Sequence, residues 1–153
     1  MKQFEATVAW QRDKQSFADQ RYSRRHEWIF DGGARVPASS SPLSVPVPMS
    51  DPTAVDPEEA LVAAASSCHM LFFLSFAAQR GFVVDSYRDR AVGYLDKDAN
   101  GVIWMSKIAL RPEIVFSLTP PTAAELDAIH HHAHSRCYIA NSIKAEVVVE
   151  AAA

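Results

Sequence analysis

Period-two alternation opens the chain. Phe4, Ala6, Val8 and Trp10 fall on one face of residues 4–10, a pattern that predicts a strand. Residues 24–30 alternate in the same way, with Arg24, His26, Trp28 and Phe30 together. They predict its hairpin partner, closed by Asp31-Gly32-Gly33. Residues 34–55 are rich in Pro and Ser and show no period. They predict an ordered loop with at most one short extended piece, and a loop of that length in a compact domain is often part of a site.

Asp56-Pro57-Glu58-Glu59 is a helix start. Asp56 can cap, Pro57 suits the first helical position, and Glu59 completes a capping box. The helix is predicted to run to about Arg80 and stop at Gly81. Residues 82–95 and 102–116 predict two strands, and Asn100-Gly101 marks the turn between them. After Thr119-Pro120-Pro121-Thr122 a second helix is predicted over residues 123 to about 135, with Leu126, Ile129 and Ala133 on one face. Residues 137–142 predict a short irregular stretch and 143–149 a closing strand. Strands, helix, strands, helix, strand make an α+β fold, an antiparallel sheet against central helices, in one domain over 1–153. No repeat is present, and the one low-complexity piece is the tail at 151–153.

Residues 60–78 carry no charge and approach the length of a membrane span. Their first half is Ala and Ser, His69 sits in the middle, and Gln79-Arg80 closes them. A helix apolar all round is also what a domain buries at its centre, and that reading is preferred. No membrane association is expected. A net charge of -3 gives no general attraction to nucleic acid. The first residues show no basic stretch leading into an apolar one, so the expected location is the cytoplasm. There a cysteine pair is more often catalytic or metal-binding than a structural staple.

The chain has two cysteines. Cys68 lies inside the apolar helix, and Cys137 follows the tract His130, His131, His132, His134. A lone thiol in such a helix is normally inert packing. Two of them suggest a redox dithiol. A peroxide-reducing thiol must react as the thiolate, and burial opposes its ionisation, so a cation must offset it. Arg24, Arg25 and His69 are the candidates. Attack on an O–O bond would leave a sulfenic acid on Cys68, and Cys137 is the one thiol available to condense with it. Inert burial of both remains the other reading of the residues.

Three segments then carry a resemblance: DPEEALVAAASSCHM at 56–70, GFVVD at 81–85 and AHSRCYIANSI at 133–143. In this order and spacing they resemble the OsmC/Ohr family of organic hydroperoxide reductases, over nearly the whole chain. The resemblance implies an intertwined homodimer whose sheets wrap two central helices, with active sites at the dimer interface. It implies a peroxidatic Cys68, a resolving Cys137, a catalytic arginine best matched by Arg24, and a catalytic glutamate at Glu58. It further implies a dithiol reductant, in several such enzymes a lipoyl group, and no metal or flavin cofactor. Tyr138 stands where the family often has proline. Glu58 and Cys68 are ten residues apart on one helix, roughly 15 Å along its axis. If Glu58 serves a Cys68 site, that site is expected to be in the other subunit.

Each of these residues also has a plainer reading. An acid in a first helical turn complements the helix dipole, as Glu59 does equally well. Arg24 and Arg25 can be a solvated pair on an edge strand. His130 and His134 have a zinc-ligating spacing, but the residue after His130 is His131 and not an acid, so they read as partly exposed helical histidines. The leading expectation is a thiol peroxidase that reduces organic hydroperoxides, with Leu71, Phe72, Phe73 and the Pro/Ser loop lining an apolar site. The alternative is a non-catalytic dimeric module that binds a small apolar ligand, with both thiols buried. A metal-binding protein is a third reading.

Overall fold

The computed structural model describes residues 1–150; the Ala tail at 151–153 lies outside the described residues. The chain forms two compact units, Met1–Ala60 and Leu61–Ala153.

The first unit is an antiparallel meander of β1 (Ala6–Ala9), β2 (His26–Phe30) and β3 (Arg35–Ala38). Val8 pairs with Trp28, and Trp28 with Val36. The expected hairpin is present, but β2 starts two residues later than the alternation suggests. Arg24 is therefore not a strand residue. Its backbone N–H donates to the Met49 carbonyl at 2.7 Å, which ties it to the long loop instead of the ladder. The extended piece within 34–55 is β3, which carries Pro37. β3 pairs with β2 on one side and meets Val55 on the other, where the Pro37 carbonyl accepts the Val55 N–H at 3.0 Å, a contact that needs no N–H from the proline. Gly33, at φ 85°, takes the left-handed turn position between β2 and β3.

α1 (Pro57–Gln79) begins in the first unit and continues through the second. Its start has the chemistry expected. The Glu59 N–H donates to Asp56 Oδ1 at 2.8 Å, and the Asp56 N–H donates to Glu59 Oε2 at 3.2 Å. Gly81, at φ 83°, follows its end. By length and composition α1 could cross a membrane. In the fold one stripe of it is fully buried: Ala65, His69, Phe73 and Ala77, at every fourth residue.

In the second unit the sheet pattern is finer than the sequence suggests. Residues 82–95 are two strands, β4 (Val83–Asp89) and β5 (Val92–Lys97), in different sheets. Residues 102–116 likewise divide into β6 (Ile103–Leu110) and β7 (Pro112–Ser117). β4 pairs antiparallel with β7, and β5 with β6. Asp89 holds the crossing point: one oxygen accepts the Arg111 N–H at 2.6 Å and the other accepts the Ser66 hydroxyl of α1. α2 (Ala123–Arg136) opens with a second capping box, Thr122 with Glu125. The closing strand, β8 (Glu146–Val149), is shorter than expected and runs parallel to β6.

Two apolar clusters result. Ala65, Ile108, Leu110, Ala145 and Val147 join the first half of α1 to the β5-β6-β8 sheet. Phe73, Ala77, Ile129 and Ala133 join its second half to α2, with Val84, Tyr87, Ile114 and Phe116 of the β4-β7 sheet against them. Gly93 is required by the first of these contacts. A Cβ there would lie 2.6 Å from Val62 Cγ2 and 2.7 Å from the Met105 sulfur. Val62 is branched and stiff, so the helix or strand would have to move. Gly93→Ala is expected to destabilise the protein by about 1–3 kcal/mol, read as a lower midpoint in urea unfolding.

Candidate functional site: a pair of free thiols between two helices

Cys68 sits half-buried on α1, and Cys137 is fully buried at the C-cap of α2; both are free thiols. The Cys137 backbone N–H donates to the carbonyls of Ala133 at 2.9 Å and His134 at 3.2 Å, so the last turn of α2 sets where its sulfur points. The two thiols, 69 positions apart in sequence, are neighbours in the fold. Burial pushes the Cys137 thiol up to about 11, and the adjacent Cys68 thiol adds to this. Cys137 is thus protonated at neutral pH. Its sulfur also accepts the Ala140 N–H at 3.4 Å. Beside the thiols, Phe72 meets the exposed ring of Tyr138 edge-on, with centroids 5.2 Å apart.

This is a dry thiol with a neighbouring thiol that solvent reaches, in a chain whose residues 50–152 match a known family, that of the OsmC-like proteins. The chain belongs to the OsmC-like family. An OsmC-like protein of unknown function from Vibrio cholerae is 52% identical, with a TM-score of 0.95 and 99% of each chain covered. An organic hydroperoxide resistance protein from Elizabethkingia anophelis shares the fold at 15% identity, with a TM-score of 0.73 over 99% of this chain and 96% of that one. Bacillus subtilis OhrB, also named an organic hydroperoxide resistance protein, does so at 14% identity, with a TM-score of 0.64 over 98% of this chain and 96% of that one. No curated protein matches the sequence. The expected OsmC-like α+β fold is thereby shown.

The other residues expected at an OsmC-like site are placed as follows. Arg24 is half-buried, and its guanidinium donates to the carbonyls of Gln20 and Tyr22 while lying 3.8 Å from the centre of the Tyr22 ring. Arg25 is exposed and paired with Asp51. Glu58 is half-buried in the first turn of α1. Among the described residues no hydrogen bond or ion pair joins Arg24 to Glu58. Phe73 does not line an open site: it is fully buried, with its ring centroid 4.5 Å from that of His130 and 5.6 Å from that of Tyr87. Leu71 is exposed. Among the described residues, no three His, Cys, Asp or Glu side chains converge as a metal cluster.

Sequence reasoning missed one feature here. His69 is fully buried, and its Nε2 lies 3.0 Å from Nδ1 of the buried His130. His130 was read with the exposed histidines of its tract. Its place three residues before Ala133 and seven before Cys137, on the apolar side of α2, was the available signal.

Burial and protonation together rank the two thiols. Iodoacetamide applied to the reduced, folded protein at pH 7.5 is expected to modify Cys68 first and Cys137 at least tenfold more slowly, because alkylation needs an exposed thiolate. Peptide mass spectrometry reads the order.

Proposed function

We propose that this OsmC-like protein is a thiol peroxidase that reduces organic hydroperoxides to alcohols. The observation that carries the reading is the adjacent pair of free thiols, Cys68 within reach of solvent and Cys137 dry behind it. The Cys68 thiolate attacks the distal peroxide oxygen, the O–O bond breaks, and the alkoxide leaves as alcohol after taking a proton. Cys68 is then a sulfenic acid. The Cys137 thiol attacks that sulfur, the S–O bond breaks, and the hydroxyl leaves as water with the Cys137 proton. An external dithiol, such as a lipoyl group, reduces the resulting disulfide by exchange. The thiol contact already present means that condensation needs little rearrangement, and that limits over-oxidation.

Arg24 enters this proposal as the cation that keeps the Cys68 sulfur ionised and polarises the peroxide, with Arg25 as its alternate. Glu58 is the carboxylate that orients it. Since Glu58 and Cys68 lie ten residues apart on one helix, the reading has Glu58 supplied by the second copy of a homodimer. An uncharged row of α1, Ala63, Ser67, Leu71 and Ser75, is exposed in the single chain, as are all four residues of β1. Both features fit coverage by a second copy. The apolar surroundings, Leu71, Phe72 and Tyr138, favour alkyl peroxides over hydrogen peroxide. A cytoplasmic location is part of the same reading, since reducing thiols are supplied there.

Two variants test the scheme. Cys68→Ser is expected to lose at least 1,000-fold of the rate of cumene hydroperoxide consumption with a dithiol reductant, because it removes the nucleophile. Cys137→Ser is expected to reduce about one equivalent per chain and then accumulate sulfinic acid on Cys68. Unchanged consumption in Cys68→Ser would instead support a ligand-binding module. Sedimentation is expected to give a dimer for both variants, and a monomer at micromolar concentration would remove the proposed role of Glu58.

A further inference from the structure

The buried histidine pair is a titratable feature of the second unit that the peroxidase scheme does not use. His69 follows Cys68 on α1, and His130 precedes Cys137 by seven residues on α2. The rings stack at 12° with centroids 5.3 Å apart, and one hydrogen bond joins them. His69 Nδ1 is buried without a partner. An unmatched buried N–H costs more than an unmatched lone pair. The tautomer that avoids one has His69 Nε2–H donating to His130 Nδ1, with Nδ1 of His69 bare. The two helices therefore touch through two polar contacts, the imidazole pair and the thiol pair, with the small, fully buried Ala133 between them on α2.

We propose that the His69–His130 pair is a positioning latch, closed when neutral and released by acid, which holds Cys137 against Cys68. The latch rests on the thiol contact and not on the identity of the oxidant. Every neighbouring group bears on its protonation. Burial lowers the His69 pKa to about 4, helped by the proximity of His130 and then His134. Burial also lowers that of His130, against the opposing pull of Asp127 and Asp89. Asp89 is committed to Ser66 and to the Arg111 N–H, so it forms no ion pair with the imidazoles. Tyr87, across Phe73, is held neutral by burial and by Asp89.

The sign follows from linkage. The folded-state pKa of His69 lies below its ordinary 6.5, so the contribution of the pair is complete above about pH 6.5 and is lost as pH falls toward about 4. Across that window each pH unit raises the released population by up to about tenfold. Release loosens α2 from α1 and carries Cys137 with it, because the last turn of α2 fixes that cysteine.

The test uses the full reduced chain and diamide, a diazene that accepts the two electrons and two protons given up as the S–S bond forms. His69→Gln/His130→Asn keeps a donor at the Nε2 position and an acceptor at the Nδ1 position, but cannot titrate. The rate of intramolecular disulfide formation is measured at pH 7.5, 6.5, 5.5 and 4.5 by quenching, alkylation and mass spectrometry. Both proteins lose the same thiolate with falling pH, so their ratio isolates the latch. The expected ratio of variant to wild type is near one at pH 7.5 and 6.5 and exceeds one at pH 4.5, by about 1.3-fold for an imidazole that titrates at about 4. Parallel profiles would overturn the proposal. Should the double variant not fold, an NMR titration of the wild-type imidazoles decides the matter. Of the six histidines, His69 is expected to stay neutral to below pH 5 and His130 to titrate below the ordinary imidazole range, and six ordinary midpoints would overturn the latch.

Discussion

The contact that the second unit depends on is the face of α1 carrying Ala65, His69, Phe73 and Ala77. One rigid helix is shared by two apolar clusters, one built with the β5-β6-β8 sheet and one with α2 and the β4-β7 sheet. Neither cluster is large, and each closes because α1 is already held by the other. Cys68 and His69 fall between the Ala65 contact and the Phe73 contact, where helix meets helix through polar groups. The loop after Cys137 is anchored on the far side, since Ile139, Ala140 and Ile143 pack on the first cluster while Ile129 and Ala133 belong to the second. The polar junction is therefore clamped from both ends, and this allows two thiols and two imidazoles to stay in place in a dry interior.

Burial acts on four titratable groups of that junction in the same sense. It raises Cys137 and Tyr87 and lowers His69 and His130, so each is held in its uncharged form. This is what an interior of low dielectric does when no counter-charge is supplied. Cys137 is deep and stays a thiol. Cys68 is the half-buried member that solvent can reach. On the proposed reading Cys68 needs the opposite of burial, a cation beside it, and that cation is brought from outside the junction.

Helix ends were legible in the sequence because they are local chemistry. Asp56 with Glu59, Thr122 with Glu125, and Gly81 at a positive φ each satisfy or terminate backbone groups within a few residues. Strand breaks were less legible. The alternation of 82–95 and 102–116 passes through Arg90 and Arg111 without a pause, and the two breaks are tied together where the Asp89 carboxylate accepts the Arg111 N–H. Pro112, at the first position of β7, was the one local cue. The parallel register of β8 on β6 has no local signature. The start of β2 was misjudged for a related reason. Arg24 satisfies the alternation, but its N–H is drawn to Met49 and its side chain to the Gln20 and Tyr22 carbonyls.

Of the candidate site, the thiol pair was open to inference and the imidazole pair was not, although the same two helices make both contacts. Cysteine is scarce in this chain, so two of them in separate apolar segments pose the question of whether they meet. Histidine is not scarce here, and four of the six stand in one tract, where period alone must separate the buried one from the exposed. The separation exists: His130 shares a face with Ala133 and Cys137, whereas His131 and His134 are exposed and His132 stacks on Phe76 at 3.8 Å. What the period could not supply is the partner. A buried imidazole is stable when another group takes its N–H, and His69 was hidden in an apolar run that reads as core whatever its polar member does. The imidazole hydrogen bond satisfies a polar group that the apolar contacts would otherwise strand, and the thiol pair lies beside it on the same two helices.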